Sequence, residues 1–104
     1  MSEATFQKWI TAFARENGWR IFHVNNSTKR LMRGTSAGFP DLTMVYEDEL
    51  IFMEVKAEGG KLSEAQEGWR TALEGLDARN AGIQYHVVYP SDKSYVMGLL
   101  CTAK

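Results

Sequence analysis

The sequence predicts a single α/β domain in which a mixed β-sheet is flanked by helices, in the order α-β-β-β-α-β-α. Two segments with helical spacing of apolar residues alternate with short runs rich in β-branched and aromatic residues. The 104 residues are enough for one hydrophobic core and too few for two. We therefore expect residues 1–104 to form one domain with helices packed on a sheet.

The first 40 residues predict a helix, a strand and a long loop. Apolar residues recur at helical spacing from Glu3, and Asn17-Gly18 is a typical end of a helix. Residues 19–24 predict a strand. Residues 25–40 are rich in Asn, Ser, Thr, Gly and basic residues, which is typical of a loop. Loops of this length in compact domains are usually functional or disordered.

The rest of the chain predicts three strands, over residues 41–46, 50–57 and 84–89, and two helices, over residues 63–79 and 93–100. The first two of these strands flank the acidic turn Glu47-Asp48-Glu49, which predicts a hairpin. Gly59-Gly60 ends the second strand, and Ser63 is a typical first residue of a helix. The order of elements implies parallel and antiparallel pairing within one sheet.

Charge and composition limit the possible partners. The net charge is −1, but residues 1–40 carry six Lys and Arg against two Glu, whereas residues 41–104 carry six against eleven acidic residues. This asymmetry permits a polyanion to bind the basic part. No apolar run approaches the roughly 20 residues of a membrane span, and the N-terminus lacks the layout of a signal peptide. With Cys101 as its one cysteine, the chain is expected in the cytoplasm, with no membrane partner.

The predicted hairpin brings ionisable residues together. A loop of two or four residues places Asp41 opposite Glu54, and strand periodicity places Lys56 on the same face. A three-residue loop would place Asp41 opposite Val55 instead. Two carboxylates on neighbouring strands suit Mg²⁺, and a nearby lysine can orient an attacking water or neutralise charge that develops on phosphate. The alternative is an ion pair on a solvent-facing strand, and the spacing alone does not separate the two.

Four sequence features occur in order on the expected elements: a glutamate at the start of the first helix, Gly38-Phe39-Pro40-Asp41-Leu42, Glu54-Val55-Lys56, and Leu62-Ser63-x-x-Gln66. Together they resemble the PD-(D/E)xK nuclease signature. Within that superfamily the chain is most similar to the VRR-NUC (virus-type replication-repair nuclease) group, as a stand-alone single domain. The resemblance covers most of the chain and implies a restriction-endonuclease-like α/β fold with a mixed central sheet.

The resemblance also implies a metal-dependent nuclease that hydrolyses phosphodiester bonds in DNA, with Mg²⁺ or Mn²⁺ as cofactor. On this basis Asp41 and Glu54 hold the metal with help from the Val55 carbonyl, and Lys56 positions the attacking water.

The resemblance gives Gln66 and Glu3 site roles that have local alternatives. Gln66 is implied to lie beside the catalytic residues, and Glu3 to reach the metal from the first helix. However, Gln66 is also the fourth residue of a capping box that starts at Ser63. Glu3 is equally an acidic residue that favours the positive end of its helix. Both roles stay open for each residue.

A basic and hydroxylated segment precedes the Pro-Asp motif. Lys29, Arg30 and Arg33 suit contacts to DNA phosphates, and Thr35 and Ser36 can add hydrogen bonds to them. The alternative is a solvated loop without a ligand.

Small members of the family resemble junction-resolving enzymes, which act as symmetric pairs because a four-way junction has two-fold symmetry. The resemblance therefore implies a structure-selective, Holliday-junction-resolvase-like endonuclease of DNA repair. Its expected partner is branched or duplex DNA, its expected assembly a homodimer, and its expected location the host cytoplasm if the protein is phage-encoded. A non-catalytic nucleic-acid-binding or assembly module on the same scaffold is the alternative function. An interaction domain with a chance motif is a third hypothesis.

Overall fold

The computed structural model describes residues 1–23 and 37–102. The elements in chain order are α1 (Glu3–Glu16), β1 (Arg20–His23), β2 (Leu42–Tyr46), β3 (Glu49–Val55), α2 (Glu64–Arg79), β4 (Ile83–Val88), a 3₁₀ turn (Pro90–Asp92) and α3 (Lys93–Leu100). This confirms the predicted α/β class and the predicted order of elements. Most of the predicted loop lies outside the described residues.

The four strands form one mixed sheet in the order β1-β2-β3-β4. The pairs β1–β2 and β2–β3 are antiparallel, and β3–β4 is parallel. The parallel pair is possible because α2 provides the long crossover that parallel neighbours need. The sheet therefore combines a hairpin with a β-α-β unit, and both share β3.

The β2–β3 hairpin has the register that the two-residue loop predicts. Tyr46 pairs with Glu49 and Leu42 pairs with Met53, so only Glu47 and Asp48 lie in the loop. Glu47 has a φ of 52°, a left-handed conformation that a two-residue hairpin commonly requires. The alternative three-residue register, which would place Asp41 opposite Val55, is wrong.

One face of the sheet, here called the first face, packs against α1 and α3 and forms the main core. The strand residues of this face alternate along β2 and β3, and they are Leu42, Met44, Ile51, Met53 and Val55, all with no exposed surface. The helices contribute Phe6 and Ile10 from α1, and Val96 and Leu100 from α3. Alternate residues of one strand share a face, so the intervening residues point to the opposite, second face.

The second face carries α2. Thr43, Phe52 and Tyr85 lie on this face in one row, because each pairs with the next across the sheet. Tyr85 is 6% exposed, and the Asp77 carboxylate of α2 accepts a hydrogen bond from the Tyr85 amide at 3.1 Å. Phe22 of β1 belongs to the same row but is 63% exposed. Thus α2 covers the β3–β4 side of the second face.

Two serines cap the long helices, and the sequence predicted this role for Ser63. The Ser2 side chain accepts a hydrogen bond from the Thr5 amide at 3.1 Å, and Ser63 accepts one from the Gln66 amide at 3.2 Å. Each serine satisfies an amide that has no partner within its helix. Among the described helices, none has both the length and the apolar character of a membrane span.

Trp19 connects the start of the chain to its end. Its indole Nε1 donates a buried hydrogen bond to the Leu100 carbonyl at 2.8 Å.

Trp19→Phe removes this donor and leaves a buried carbonyl unsatisfied, which costs about 1–3 kcal/mol of the free energy of unfolding. Urea unfolding measures the loss. Trp9→Phe is the control, since Trp9 contacts Phe6 and Phe13 through its ring and its indole nitrogen donates to no described residue. An equal loss in both variants would contradict the assigned role of the hydrogen bond.

Candidate functional site

Asp41 lies directly before β2, and its side chain is completely buried. Its Oδ2 accepts a hydrogen bond from the Val55 amide at 2.9 Å. The β2–β3 register ends at Leu42 and Met53, so one further step places Asp41 opposite Glu54. Opposite residues of an antiparallel pair point to the same face with Cβ atoms about 5 Å apart. The hairpin therefore brings the two predicted metal ligands together.

Glu54 is the second carboxylate of the site and is 1% exposed. Its Oε1 accepts a hydrogen bond from Gln66 Nε2 at 3.0 Å. Burying a carboxylate is costly unless it is hydrogen-bonded or charge-compensated. Because both Asp41 and Glu54 are buried, the alternative of a solvent-facing ion pair is wrong.

Gln66 makes a contact that suits each of the two roles that the sequence left open. Its Oε1 accepts a hydrogen bond from the Ser63 amide at 2.7 Å, which completes the capping box of α2. Its Nε2 donates to Glu54 at the same time. The cap therefore determines the orientation of the Gln66 side-chain amide, so that its Nε2 group faces the site.

Lys56 follows the last residue of β3 and is half-buried. Its amide donates to the Val88 carbonyl at 2.9 Å, which extends the β3–β4 pairing beyond the strand. Its side chain runs beside Gly60, where an added Cβ would lie 3.6 Å from Lys56 Cδ. Within the described residues, no ion pair joins Lys56 to Asp41 or Glu54. Alternation along the strand places Lys56 on the face of Glu54, as predicted.

The segment after Lys56 is held by the turn that follows β4. The Ser91 amide donates to the Glu58 carboxylate, and hydrogen bonding from the Ser91 side chain and then from its amide lowers the pKa of Glu58. The Tyr89 hydroxyl donates to the Gly60 carbonyl at 3.3 Å. Gly60 and the stem of Lys56 thus have defined positions at the end of β3.

The segment before Asp41 packs on α2 through aromatic side chains. Trp69 Nε1 donates to the Ala37 carbonyl at 3.0 Å. The Phe39 ring meets the Trp69 ring edge-on with centroids 4.9 Å apart, and it meets the Phe52 ring edge-on at 6.0 Å. Such edge-to-face contacts stabilise beyond the burial of area alone. Trp69 therefore contacts the segment that carries Asp41.

Gly38 lies against the first turn of α2. Its φ of 83° is left-handed, and a Cβ built on it would lie 2.4 Å from the Ala65 carbonyl carbon and 2.6 Å from the Gln66 amide nitrogen. No side chain fits at this distance. The glycine of the Gly-Phe-Pro-Asp motif is thus required by the close approach of its backbone to the residue that binds Glu54.

Tyr85 is a neighbour of the site that the sequence did not indicate. Burial, followed by the negative charge of Glu54, raises the pKa of Tyr85 to about 12, so the phenol stays protonated at neutral pH. Tyr85 was predicted only as part of a buried strand. Its proximity to Glu54 follows from the parallel pairing of β4 with β3, which no local motif specifies.

The remaining predicted site residues stay predictions. Glu3 is in the first turn of α1, after the cap residue Ser2, as its alternative helix-end role requires. The Val55 carbonyl is at the end of β3. The DNA-binding residues predicted before the Pro-Asp motif lie outside the described residues: Lys29, Arg30, Arg33, Thr35 and Ser36.

The donor atoms of the site suit a hard divalent cation. Carboxylate oxygens from Asp41 and Glu54, with a backbone carbonyl nearby, are the ligands that Mg²⁺ prefers. In residues 1–23 and 37–102, no three His, Cys, Asp or Glu side chains form a group that could hold a metal ion. A cation here would therefore be held by two carboxylates and would keep several waters, which is usual for Mg²⁺. The residues present fit such an ion.

Comparison with known proteins gives one match. A family model described as the VRR-NUC domain matches residues 7–90, which include both carboxylates, Lys56 and Gln66. Neither the curated proteins nor the solved structures give a significant match.

Gly38→Ala tests the close approach of the Asp41 segment to α2. We expect a loss of more than about 2 kcal/mol in the free energy of unfolding, because the left-handed backbone alone costs an alanine about 1–2 kcal/mol. Urea unfolding measures it.

Gly59→Ala is the matched control, since Gly59 has a φ of 77° and no atom within 4 Å of an added Cβ. It isolates the cost of the backbone conformation. If Gly38→Ala and Gly59→Ala lost the same stability, the contact with α2 would contribute nothing.

Proposed function

The chain belongs to the VRR-NUC family of nucleases, and on that premise we propose that it is a divalent-metal-dependent DNA endonuclease. The observation that carries the proposal is the pair of buried carboxylates, Asp41 and Glu54, at the end of the β2–β3 hairpin. Two acids placed together inside a protein are costly unless a cation or proton compensates them. A divalent cation is the compensation that phosphodiester hydrolysis also requires.

Asp41 and Glu54 would hold the cation with the Val55 carbonyl, and Glu3 is the further ligand that the family resemblance suggests. When bound, the cation supplies charge stabilisation to the phosphate oxygens and lowers the pKa of a coordinated water. The protein's own contribution is to hold the two carboxylates in fixed positions. The Val55 amide orients Asp41, and the Gln66 amide orients Glu54.

Lys56 would act on the reacting groups directly. Lys56 lies two residues after Glu54 and on the same face, and its ammonium group forms no ion pair with a described carboxylate. A lysine there can donate a hydrogen bond to the attacking water and stabilise negative charge on the phosphate as it develops. In-line attack by that water would break the bond to the leaving oxygen of the phosphodiester.

The substrate proposed is a branched DNA such as a four-way junction, with plain duplex as the alternative. A symmetric pair of chains would match the two-fold symmetry of a junction. The proposed assembly is therefore a homodimer. The proposed phosphate contacts are Lys29, Arg30, Arg33, Thr35 and Ser36. A cytoplasmic location remains part of the proposal.

Cleavage of a labelled four-way junction and a matched linear duplex, each with Mg²⁺, Mn²⁺ or EDTA, tests the function. We expect cleavage with either metal and none with EDTA. Asp41→Asn and Glu54→Gln keep the shape of the side chain but remove its charge, so we expect them to abolish cleavage. Lys56→Ala should slow it by about 10² or more, as removal of one transition-state donor does.

Asp77→Asn and Lys61→Ala are the matched controls. Asp77, like Asp41, accepts a hydrogen bond from a strand amide, but that strand residue is Tyr85 and not a residue of the site. Lys61 is an exposed lysine. Both variants should cleave at the wild-type rate. Wild-type cleavage by the Asp41, Glu54 and Lys56 variants would contradict the proposal. Metal-independent binding of the junction without cleavage would favour the non-catalytic module.

A further inference from the structure

We propose that the first two turns of α2 hold Asp41 and Glu54 at a fixed separation, and that Ser63 and Trp69 are positioning residues for metal binding. We call residues 63–69 the α2 clamp. The inference rests on the proposed function, because the site that the clamp positions is the proposed metal site. It assigns a role to two residues that do not touch the metal.

One arm of the clamp runs from Ser63 to Glu54. The Ser63 hydroxyl accepts from the Gln66 amide at 3.2 Å, and the Ser63 amide donates to Gln66 Oε1 at 2.7 Å. With its oxygen engaged, the Gln66 amide presents its nitrogen to Glu54 Oε1 at 3.0 Å. The Ser63 hydroxyl thereby holds the first turn of α2 in the geometry in which the Ser63 amide meets the Gln66 oxygen.

The other arm runs from Trp69 to Asp41. The Trp69 indole donates to the Ala37 carbonyl at 3.0 Å, and its ring meets the Phe39 ring at 4.9 Å. Gly38, between the two, lies in contact with the backbone of residues 65 and 66. Pro40, whose ring fixes its φ, then connects this anchored segment to Asp41.

The clamp supplies a constraint that the sheet lacks at this point. Regular pairing of β2 with β3 ends at Leu42 and Met53, one residue before the two carboxylates. The hydrogen bond from the Val55 amide to Asp41 spans this end. Because both arms start from the same helix, movement of α2 relative to the sheet would change both carboxylates together.

Two residues elsewhere in the chain make contacts like those of the clamp without touching the site. The Asn80 side chain donates to the Leu76 carbonyl at 3.0 Å and caps the opposite end of α2. The Trp19 indole donates to the Leu100 carbonyl at 2.8 Å, as the Trp69 indole donates to Ala37. Asn80→Ala and Trp19→Phe are therefore the controls for Ser63→Ala and Trp69→Phe. They reproduce the loss of a hydrogen bond at a helix end and of an indole hydrogen bond.

The experiment is a Mn²⁺ titration of the melting temperature in the absence of DNA, which gives an apparent Kd from the stabilisation by bound ion. We expect Ser63→Ala and Trp69→Phe each to raise the Kd about tenfold, the lower end of the effect of groups that orient metal ligands. Ser63→Thr should restore the wild-type Kd, because threonine also caps helices. Asn80→Ala and Trp19→Phe should lower the melting temperature without Mn²⁺ but leave the Kd unchanged.

The outcomes separate this inference from the proposed function. If wild type binds Mn²⁺, Asp41→Asn does not, and the clamp variants keep the wild-type Kd, then the clamp is wrong and the metal site stands. An equal rise in Kd for Asn80→Ala would likewise overturn the clamp, since the effect would then be a general loss of stability. If wild type itself shows no stabilisation by Mn²⁺, both the clamp and the proposed metal site fail. Ser63 is exposed, so the Ser63 variants decide the question if Trp69→Phe does not fold.

Discussion

The burial of two carboxylates beside each other is the constraint around which this structure is arranged. Asp41 and Glu54 have almost no exposed surface, although ionised groups are among the costliest to remove from water. Each is held by a hydrogen bond from a different element, the β3 backbone for Asp41 and α2 for Glu54. Apolar side chains in the same positions would stabilise a globular domain at least as well as such a pair does. The proposed metal site would account for its presence.

The two faces of the sheet differ in composition: the first forms the apolar core, and the second carries the candidate site. The first face is apolar and packs on α1 and α3, which gives a core that continues from the first helix to Leu100. The second face carries both carboxylates at one end and α2 across them. Since β3 pairs with β2 on one side and β4 on the other, the strand that supplies Glu54 is an internal strand of the sheet. A rigid strand suits a site whose groups must keep fixed positions.

Local patterns in the sequence predicted the elements, and they offered the observed hairpin register and the capping box as alternatives, because each depends on residues a few positions apart. The opposition of Asp41 to Glu54 required a loop of two or four residues, and the sequence left a loop of three residues open. The contacts of α2 with the site were not predictable in this way. Gln66 and Glu54 are 12 positions apart, and Trp69 and Ala37 are 32 apart, so both contacts depend on how α2 docks on the sheet. The sequence alone thus left the role of Gln66 open, and the structure shows that one amide serves both the cap and Glu54.

The most direct test of the account is a crystal structure of the protein with Mn²⁺, in which anomalous scattering locates the ion without reference to activity. The account predicts one strong peak between Asp41 and Glu54, about 2 Å from an oxygen of each, with Gln66 still donating to Glu54. A Mn²⁺ ion bound elsewhere, with the two carboxylates in contact with protein groups only, would contradict it.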